Sequence, residues 1–400
     1  MSEISSSDRS TNDSAAALHR RERLDADAHT VVVKVGTRVL TDERGYLDPG
    51  RVGHLAAQLV ELRRRRRVVL VTSGAVASGM STLGFAKRPS DLAALQAVAA
   101  VGQAKLIEAY DGEFRKHRIA GATGELPCHA AQVLLGADDL QNRVSYLNVR
   151  NTLVRLMDFP NVIPVINEND TVSVEELQTT FGDNDKLAAL VANLLPAPLL
   201  IILSTVDGLY DDRQVVVPLV EQFDDRLRSF VCDQKTGLSK GGMASKLKAA
   251  QLCVTSGEMV AIANGRAENI LLRVIAGEAV GTLFVPQGKS LTPWKRWLGA
   301  PAQSRGRIVV NAGARDAITT NNGSLLAVGI VQVEGEFRKG DVVGLVVADE
   351  PREFARGLTN YASEDLERIR GCKSQQIAEI LGHRPYEEVV HRNNMVVVPE

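Results

Sequence analysis

The chain is 400 residues long, 44% hydrophobic and 24% charged, with a formal net charge of −1; this is the balance of an ordinary soluble globular protein of two or three domains, with no bias toward nucleic acid or an anionic membrane. Its continuous apolar runs stop short of the roughly 18 residues of a membrane helix, and the polar N-terminus carries no apolar export core. Cys128, Cys232, Cys253 and Cys372 are scattered and form no C-x-x-C pair, which fits a cytoplasmic location and argues against a structural zinc.

Residues 1–28 are rich in Ser, Asp and Arg and read as disordered. A first buried strand runs over 30–36, with Lys34 inside it. A buried ammonium is costly unless its charge is matched. Two readings are open: a phosphate-binding lysine, with Gly36 letting backbone N–H groups approach the phosphates, or a lysine snorkelling from an edge strand. Residues 49–67 have helical spacing, with Val52, Leu55, Ala56, Leu59, Val60 and Leu62 near one face. The run Arg63 to Arg67 reads as the solvated end of that helix, favourably placed for its dipole. A second strand over 68–72 turns through Ser73-Gly74-Ala75 into another helix. That turn offers N–H groups and a hydroxyl to an anion, or simply lets a helix pack closely. It is no nucleophile elbow, because Val71 stands two residues before Ser73.

The stretch 162–171 is an apolar strand that ends in Asn167, Glu168, Asn169, Asp170 and Thr171. Gly182-Asp183-Asn184-Asp185 then opens a helical stretch to Leu195. Sites in open α/β sheets lie where strand C-termini meet helix N-termini, and these carboxylates and amides suit a small ligand bearing an ammonium group. Taken singly, each cluster also reads as a helix cap or an Asx-turn. Further strands fall at 199–203 and 260–263. Between them, 237–250 reads as a glycine loop feeding a helix, with lysines at 240, 246 and 248. It is either a phosphate cradle or an ordinary basic loop, and it is not a Walker P-loop. None of the seven histidines, His54 and His117 among them, forms a ligand-spaced pair.

Alternating strands and helices predict an α/β fold: a three-layer αβα sandwich on a mostly parallel sheet. The pattern changes near 293–301. Short β segments at 306–311, 324–334 and 341–348, with helices at 363–370 and 374–381, predict a smaller β-barrel-like domain. Ser374 reads as the N-cap of the last helix. The expected divisions are a disordered segment 1–28, a catalytic domain 29–299 and a small domain 305–392.

In order and spacing, several motifs resemble those of the glutamate 5-kinases, in the amino-acid kinase superfamily. They are Val-Val-Lys-Val-Gly-Thr (32–37), Val-Thr-Ser-Gly-Ala (71–75), Ala-Val-Gly-Gln (100–103) and Tyr-Leu-Asn-Val-Arg-Asn-Thr-Leu (146–153). Ile-Pro-Val-Ile-Asn-Glu-Asn-Asp (163–170), Phe-Gly-Asp-Asn-Asp (181–185), Asp-Gly-Leu-Tyr (207–210) and Gly-Gly-Met-Ala-Ser-Lys (241–246) follow. Gly-Thr-Leu-Phe (281–284) and Arg-Trp-Leu-Gly-Ala-Pro (296–301) complete the set, and 371–382 is similar to the end of a PUA domain.

The resemblance implies ATP- and Mg2+-dependent phosphorylation of the side-chain carboxylate of L-glutamate, the first step of proline biosynthesis. Lys34 and Lys246 would be catalytic. Ser73, Asp170, Asn184 and Asn167 would hold glutamate. Lys34, Gly36, Ser204, Thr205, Lys240, Gly241, Gly242, Met243, Ala244, Ser245 and Lys246 would line the nucleotide site, with no protein metal site. It also implies feedback inhibition by proline, a dimeric or tetrameric homo-oligomer and a glutamyl phosphate reductase as pathway partner.

Departures from the family pattern cluster around the nucleotide: Arg38 for Ser, Thr205 for Asp, and Lys240 for a small or hydroxyl residue. Gly136 and Ala137 replace Thr-Arg, the loop after Tyr210 is short, and 120–129 looks inserted. The alternatives are a kinase for N-acetylglutamate or aspartate on the same fold, and a weakly active regulator that binds glutamate or proline. An RNA-binding role is disfavoured because residues 305–400 hold 12 Lys+Arg against 14 Asp+Glu.

Overall fold

The computed structural model describes residues 21–22, 24–121, 124–171, 183–195, 197–224, 227, 240–286, 292–299, 302–321, 323–348, 350–382 and 386–398. It divides into two compact units, Met1–Leu140 with Val144–Ser290, and Gln141–Arg143 with Leu291–Glu400.

The first unit is built on β1 (Thr30–Val35), β2 (Arg67–Thr72), β3 (His129–Leu135), β4 (Val162–Glu168), β5 (Leu199–Ser204), β6 (Leu219–Val220), β7 (Met259–Asn264) and β8 (Thr282–Phe284). They form one eight-stranded sheet in the order β3-β4-β2-β1-β5-β7-β8-β6. Every neighbouring pair is parallel except β7–β8. The principal helices are α1 (Pro49–Arg63), α2 (Ala75–Leu83), α3 (Leu92–Phe114), α4 (Arg143–Asp158), α5 (Asp183–Leu194) and α6 (Lys240–Ser256).

Strand parity decides which side chains reach which layer. Val31, Val33 and Val35 of β1 join a core with Leu70, Ile201, Leu203 and the helix residues Leu55, Leu59 and Leu106. Val32 and Lys34 have the opposite parity, toward α5, where Lys34 meets Asp185. Because β1 lies between β2 and β5, Lys34 is on a central strand, which removes the edge-strand reading.

Two close approaches fix the helices beside β2. A Cβ at Gly79 would stand 1.9 Å from the Val98 carbonyl oxygen, and one at Gly102 would stand 1.7 Å from that of Ala75. Only glycines allow α2 and α3 to touch backbone to backbone. By length and composition α3 could cross a membrane. In the fold its Leu95, Val98, Ala99, Leu106, Tyr110 and Phe114 are buried.

Several expectations are corrected. Helix α1, capped by Asp48, ends at Arg63 and not at 67. Arg63 is buried and not solvated: its guanidinium donates to the carbonyls of Met157 (2.8 Å), Phe159 (2.7 Å), Val162 (3.0 Å) and Arg66 (3.2 Å). Three of these acceptors lie where α4 ends and β4 begins, a place where helix carbonyls lack partners. The disorder expected through residue 28 does not hold for its described part. Leu24–Asp27 is helical, and the buried Arg21 donates to the carbonyls of Pro218, Glu278, Val280 and Gly281. The stretch 120–129 that looked inserted overlaps a short antiparallel pair, Arg118–Gly121 with Gly124–Pro127.

The second unit is a five-stranded mixed sheet of β9 (Gly306–Val310), β10 (Ile330–Glu334), β11 (Val342–Val347), β12 (Glu350–Leu358) and β13 (Met395–Val397). Ile308, Val310, Val343, Leu345, Leu366 and Ile377 share its core. Helices Ser363–Ile369 and Ile377–Leu381 stand where the spacing placed them, but a 3-10 turn, Ser374–Gln376, precedes the second, so Ser374 is not its cap. Strand β12, strand β13 and the Asn311-capped helix Ala312–Thr319 were not anticipated.

Candidate active site

The β2 end turns sharply at Gly74, whose φ of +113° is open to glycine and strained for other residues. This turn presents Ser73 at the mouth of α2. The first turn of α5 comes to meet it. Asn184 Nδ2 lies 3.1 Å from the Thr72 carbonyl oxygen, 2.8 Å from Ser73 Oγ and 3.2 Å from Asn167 Oδ1. An amide group has two hydrogens, so three acceptors must share them. Ser73, Asn167 and Asn184 are all buried; the structure brings these three predicted residues into one polar knot.

Asp170 stands just past β4 and is also buried. Its Oδ2 accepts from Gln103 Nε2 of α3 at 3.0 Å, and the same amide donates to the Glu168 carbonyl at 3.1 Å. Beneath the knot, the Thr72 and Tyr110 hydroxyls are 2.9 Å apart.

A charged cluster lies beside this knot. Lys34 Nζ is 2.6 Å from Asp185 Oδ1, and Lys246 Nζ is 3.1 Å from Asp185 Oδ2, with side-chain exposures of 7%, 11% and 1% for Lys34, Lys246 and Asp185. Lys246 also donates to the Gly242 carbonyl. Burial pushes the Asp185 carboxyl up, but the two ammonium groups outweigh it and hold the acid below its ordinary range. Lys246 is held below the ordinary lysine value, first by burial and then by the Lys34 and Arg38 charges, against the pull of Asp185. Two ammonium groups thus divide one carboxylate, and the buried cluster is short of negative charge.

The residues expected around the nucleotide lie at strand and helix ends. Ser204 ends β5 and Thr205 follows it, both half-buried, and the Ser204 carbonyl accepts from Gly265 N–H at 2.8 Å. The described part of the expected glycine loop is helical, because α6 already begins at Lys240. Gly242, Met243, Ala244 and Ser245 therefore sit in its opening turns, where the first N–H groups have no partner within the helix. The side chain of Lys240 and residues 237–239 lie outside the described residues. Gly36 borders Lys34: a Cβ there would be 3.5 Å from its Nζ. The Arg38 carbonyl accepts from the Arg266 guanidinium at 2.8 Å. Asp207 is anchored by Asn264 Nδ2 and the Tyr210 hydroxyl, each at 2.9 Å, which lower its pKa in that order. No group of three His, Cys, Asp or Glu side chains that could hold a metal converges among the described residues.

Two residues of this site were not singled out from the sequence. Asp185 and Gln103 both lie inside motifs that carry the family resemblance, so the motifs themselves were the signal. What separates Asp185 from its neighbours is its contact with two lysines distant in sequence.

The Amino acid kinase family pattern matches residues 29–264, and the PUA domain pattern matches 306–381. The chain is 48% identical over 389 residues to a glutamate 5-kinase of Rhodopirellula baltica, covering 95% of this chain and 97% of that protein. It is 44% identical over 375 residues to a glutamate 5-kinase of Caldanaerobacter subterraneus subsp. tengcongensis, covering 92% and 97%. A glutamate 5-kinase of Geobacter sp. strain M21 is 44% identical over 385 residues, covering 94% and 100%.

Proposed function

The chain belongs to the amino acid kinase family, among its glutamate 5-kinases, and from that premise we infer that it transfers the γ-phosphoryl group of ATP to the side-chain carboxylate of L-glutamate, giving L-glutamyl 5-phosphate, the first step of proline biosynthesis. The observation that carries this reading is the buried pair of ammonium groups sharing one carboxylate beside a knot of amide and hydroxyl groups.

The glutamate side-chain carboxyl has an ordinary pKa near 4.3 and is ionised at neutral pH. The nucleophile therefore needs no general base. One carboxylate oxygen forms the new bond to phosphorus, the bond from phosphorus to the β–γ bridging oxygen breaks, and ADP leaves with that electron pair. The difficulty is anion against anion: two unit charges roughly 4 Å apart repel by about 4 kcal/mol at an effective dielectric near 20. Lys34 and Lys246 offset this repulsion on the transferring group, and Asp185 keeps both ammonium groups aimed before reaction. Ser73, Asn167 and Asn184 orient the substrate, and Asp170 receives its ammonium group. The opening N–H groups of α6 suit phosphate oxygens, and Gly36 leaves space beside Lys34 that a larger residue would fill. Ser204 and Thr205 border the nucleotide.

Asp185 is committed to the lysines, so Mg2+ would be held chiefly by the nucleotide phosphates and water, as this ion commonly is. It would neutralise charge across the β- and γ-phosphates. Proline carries an ammonium and a carboxylate of its own and competes at Asp170 and Asn184. The chain acts as a cytoplasmic homo-oligomer. Its labile acyl phosphate product passes to a reductase.

Two variants test the assignment. Asp170→Asn is expected to raise the glutamate KM about tenfold or more with the ATP KM unchanged. Lys246→Met is expected to lower kcat about 100-fold or more. An unchanged glutamate KM in the first, or an unchanged kcat in the second, contradicts these roles.

A further inference from the structure

The Ala-Val-Gly-Gln motif at 100–103 has no part in the transfer itself, yet it brings a side chain into the site. Gln103 is buried in the middle of α3. Its amide spans the β4 exit, with Nε2 3.1 Å from the Glu168 carbonyl oxygen and 3.0 Å from Asp170 Oδ2. The two hydrogens of one NH2 group thus tie the backbone before Asp170 and the carboxylate itself to a single rigid point.

That point is fixed in turn. Gly102, the preceding residue, lies against Ala75 and Gly79 of α2 so closely that no Cβ fits, and α2 starts from the turn carrying Ser73. Gln103 therefore sets the distance from the Ser73 turn to Asp170 through a contact between two helices. A leucine, one bond shorter, would fill most of the same volume but donate nothing. A glutamate would keep the shape and, when ionised, place a second acceptor against Asp170.

We propose that Gln103 is a positioning residue for substrate selection: it holds the Asp170 carboxylate where a free α-ammonium group meets it, and so contributes to the preference for an amino acid over a dicarboxylate without the amine. This rests on the reading of Asp170 as the ammonium partner. Gln103 touches neither the transferring phosphoryl group nor the attacking carboxylate in this role. Its loss acts on glutamate binding and spares ATP.

The test compares wild type with Gln103→Leu, Gln103→Glu and Asp170→Asn, all checked for folding by thermal melting. The readouts are KM for glutamate, KM for ATP and competitive inhibition by glutarate, which has both carboxylates and no ammonium. Gln103→Leu is expected to raise the glutamate KM about tenfold, as loss of a hydrogen bond to a charged group does, with the ATP KM and glutarate inhibition within about twofold. Gln103→Glu, relative to wild type, is expected to be impaired more at pH 8 than at pH 6. A protonated carboxyl can still donate to Asp170, an ionised one cannot, and two adjacent carboxylates raise their shared pKa.

A glutamate KM unchanged in Gln103→Leu overturns the proposal, as does a parallel loss of glutamate, ATP and glutarate binding, which marks general distortion. Should the leucine variant fail to fold, the isosteric glutamate variant decides, and equal impairment at the two pH values counts against the proposal. Asp170→Asn separates the two layers of inference. If it leaves the glutamate KM unchanged, the ammonium reading itself fails. If it raises that KM while both Gln103 variants behave as wild type, only the positioning role fails.

Discussion

At the scale of single residues, the site is organised by Asp185, a carboxylate whose two oxygens each hold one ammonium group. Sequence inspection marked Lys34 as a lysine inside an apolar strand, and the family resemblance supplied Lys246 and Asn184. It passed over Asp185, since the polar residues at the start of α5 also read as helix caps. Only the fold, which brings residues 34 and 246 to one carboxylate, distinguishes it. The lowered pKa of Lys246 sets the sign of a pH effect. Activity that requires the protonated lysine declines as pH rises through a value below the ordinary lysine range. Asp185→Asn removes the attraction that opposes that shift and leaves Lys34 and Lys246 repelling each other. Its kcat is expected to fall about 100-fold or more, and the alkaline limb of its pH–kcat profile to move to lower pH than in the wild type. An alkaline limb that stays in place or moves upward contradicts this account of the cluster.

At the scale of elements, the site depends on how tightly its supports approach one another. Gly102→Ala places a methyl into the Ala75 carbonyl, so α2 and α3 must separate. Such overpacking is expected to cost about 1–3 kcal/mol in denaturant unfolding and to raise the glutamate KM, because the Ser73 turn and Gln103 move apart. A stability equal to wild type contradicts the close contact. Arg63 gives the opposite case, a side chain that supports the fold away from the polar knot. Arg63→Ala leaves the carbonyls of Met157, Phe159 and Val162 short of a donor, and is expected to lose about 3 kcal/mol or more with kcat unchanged in the folded fraction. In the run from Arg63 to Arg67 five identical residues hid two anchors, Arg63 and Arg66, whose guanidinium donates to Asp25 Oδ1 at 2.6 Å and to the Ala28 carbonyl at 3.4 Å. Charge alone marked them all as solvated, and only the meeting of α1 with the end of α4 distinguishes the first. Legibility was best where the residue pattern had one meaning: β2 and β5, apolar apart from their end residues, were placed to within a residue at each end. It was poorest in β12, where Glu350, Arg352, Glu353 and Arg356 interrupt the apolar alternation that marks a strand.

At the scale of the whole molecule, strands alternating with helices define the mostly parallel sheet, and the ends of its parallel strands carry every predicted glutamate-side residue except Asn184, which α5 brings to them. The order of motifs along the chain carried the family resemblance, because their spacing reflects the fixed sequence of crossovers in one sheet. The nucleotide side was less legible. The stretch taken for a glycine loop is helical from Lys240, since glycines at the start of a helix and glycines in a loop look alike in sequence. In the proposed function this sheet end selects an amino acid with a free ammonium group and phosphorylates its side-chain carboxylate. The most direct measurement is ATP- and Mg2+-dependent acyl phosphate formation, trapped as the hydroxamate, with L-glutamate, N-acetylglutamate and L-aspartate side by side. Product is expected with L-glutamate and none with N-acetylglutamate, whose amide cannot pair with Asp170. Equal product from N-acetylglutamate, or none from L-glutamate with folded protein, contradicts the proposed function.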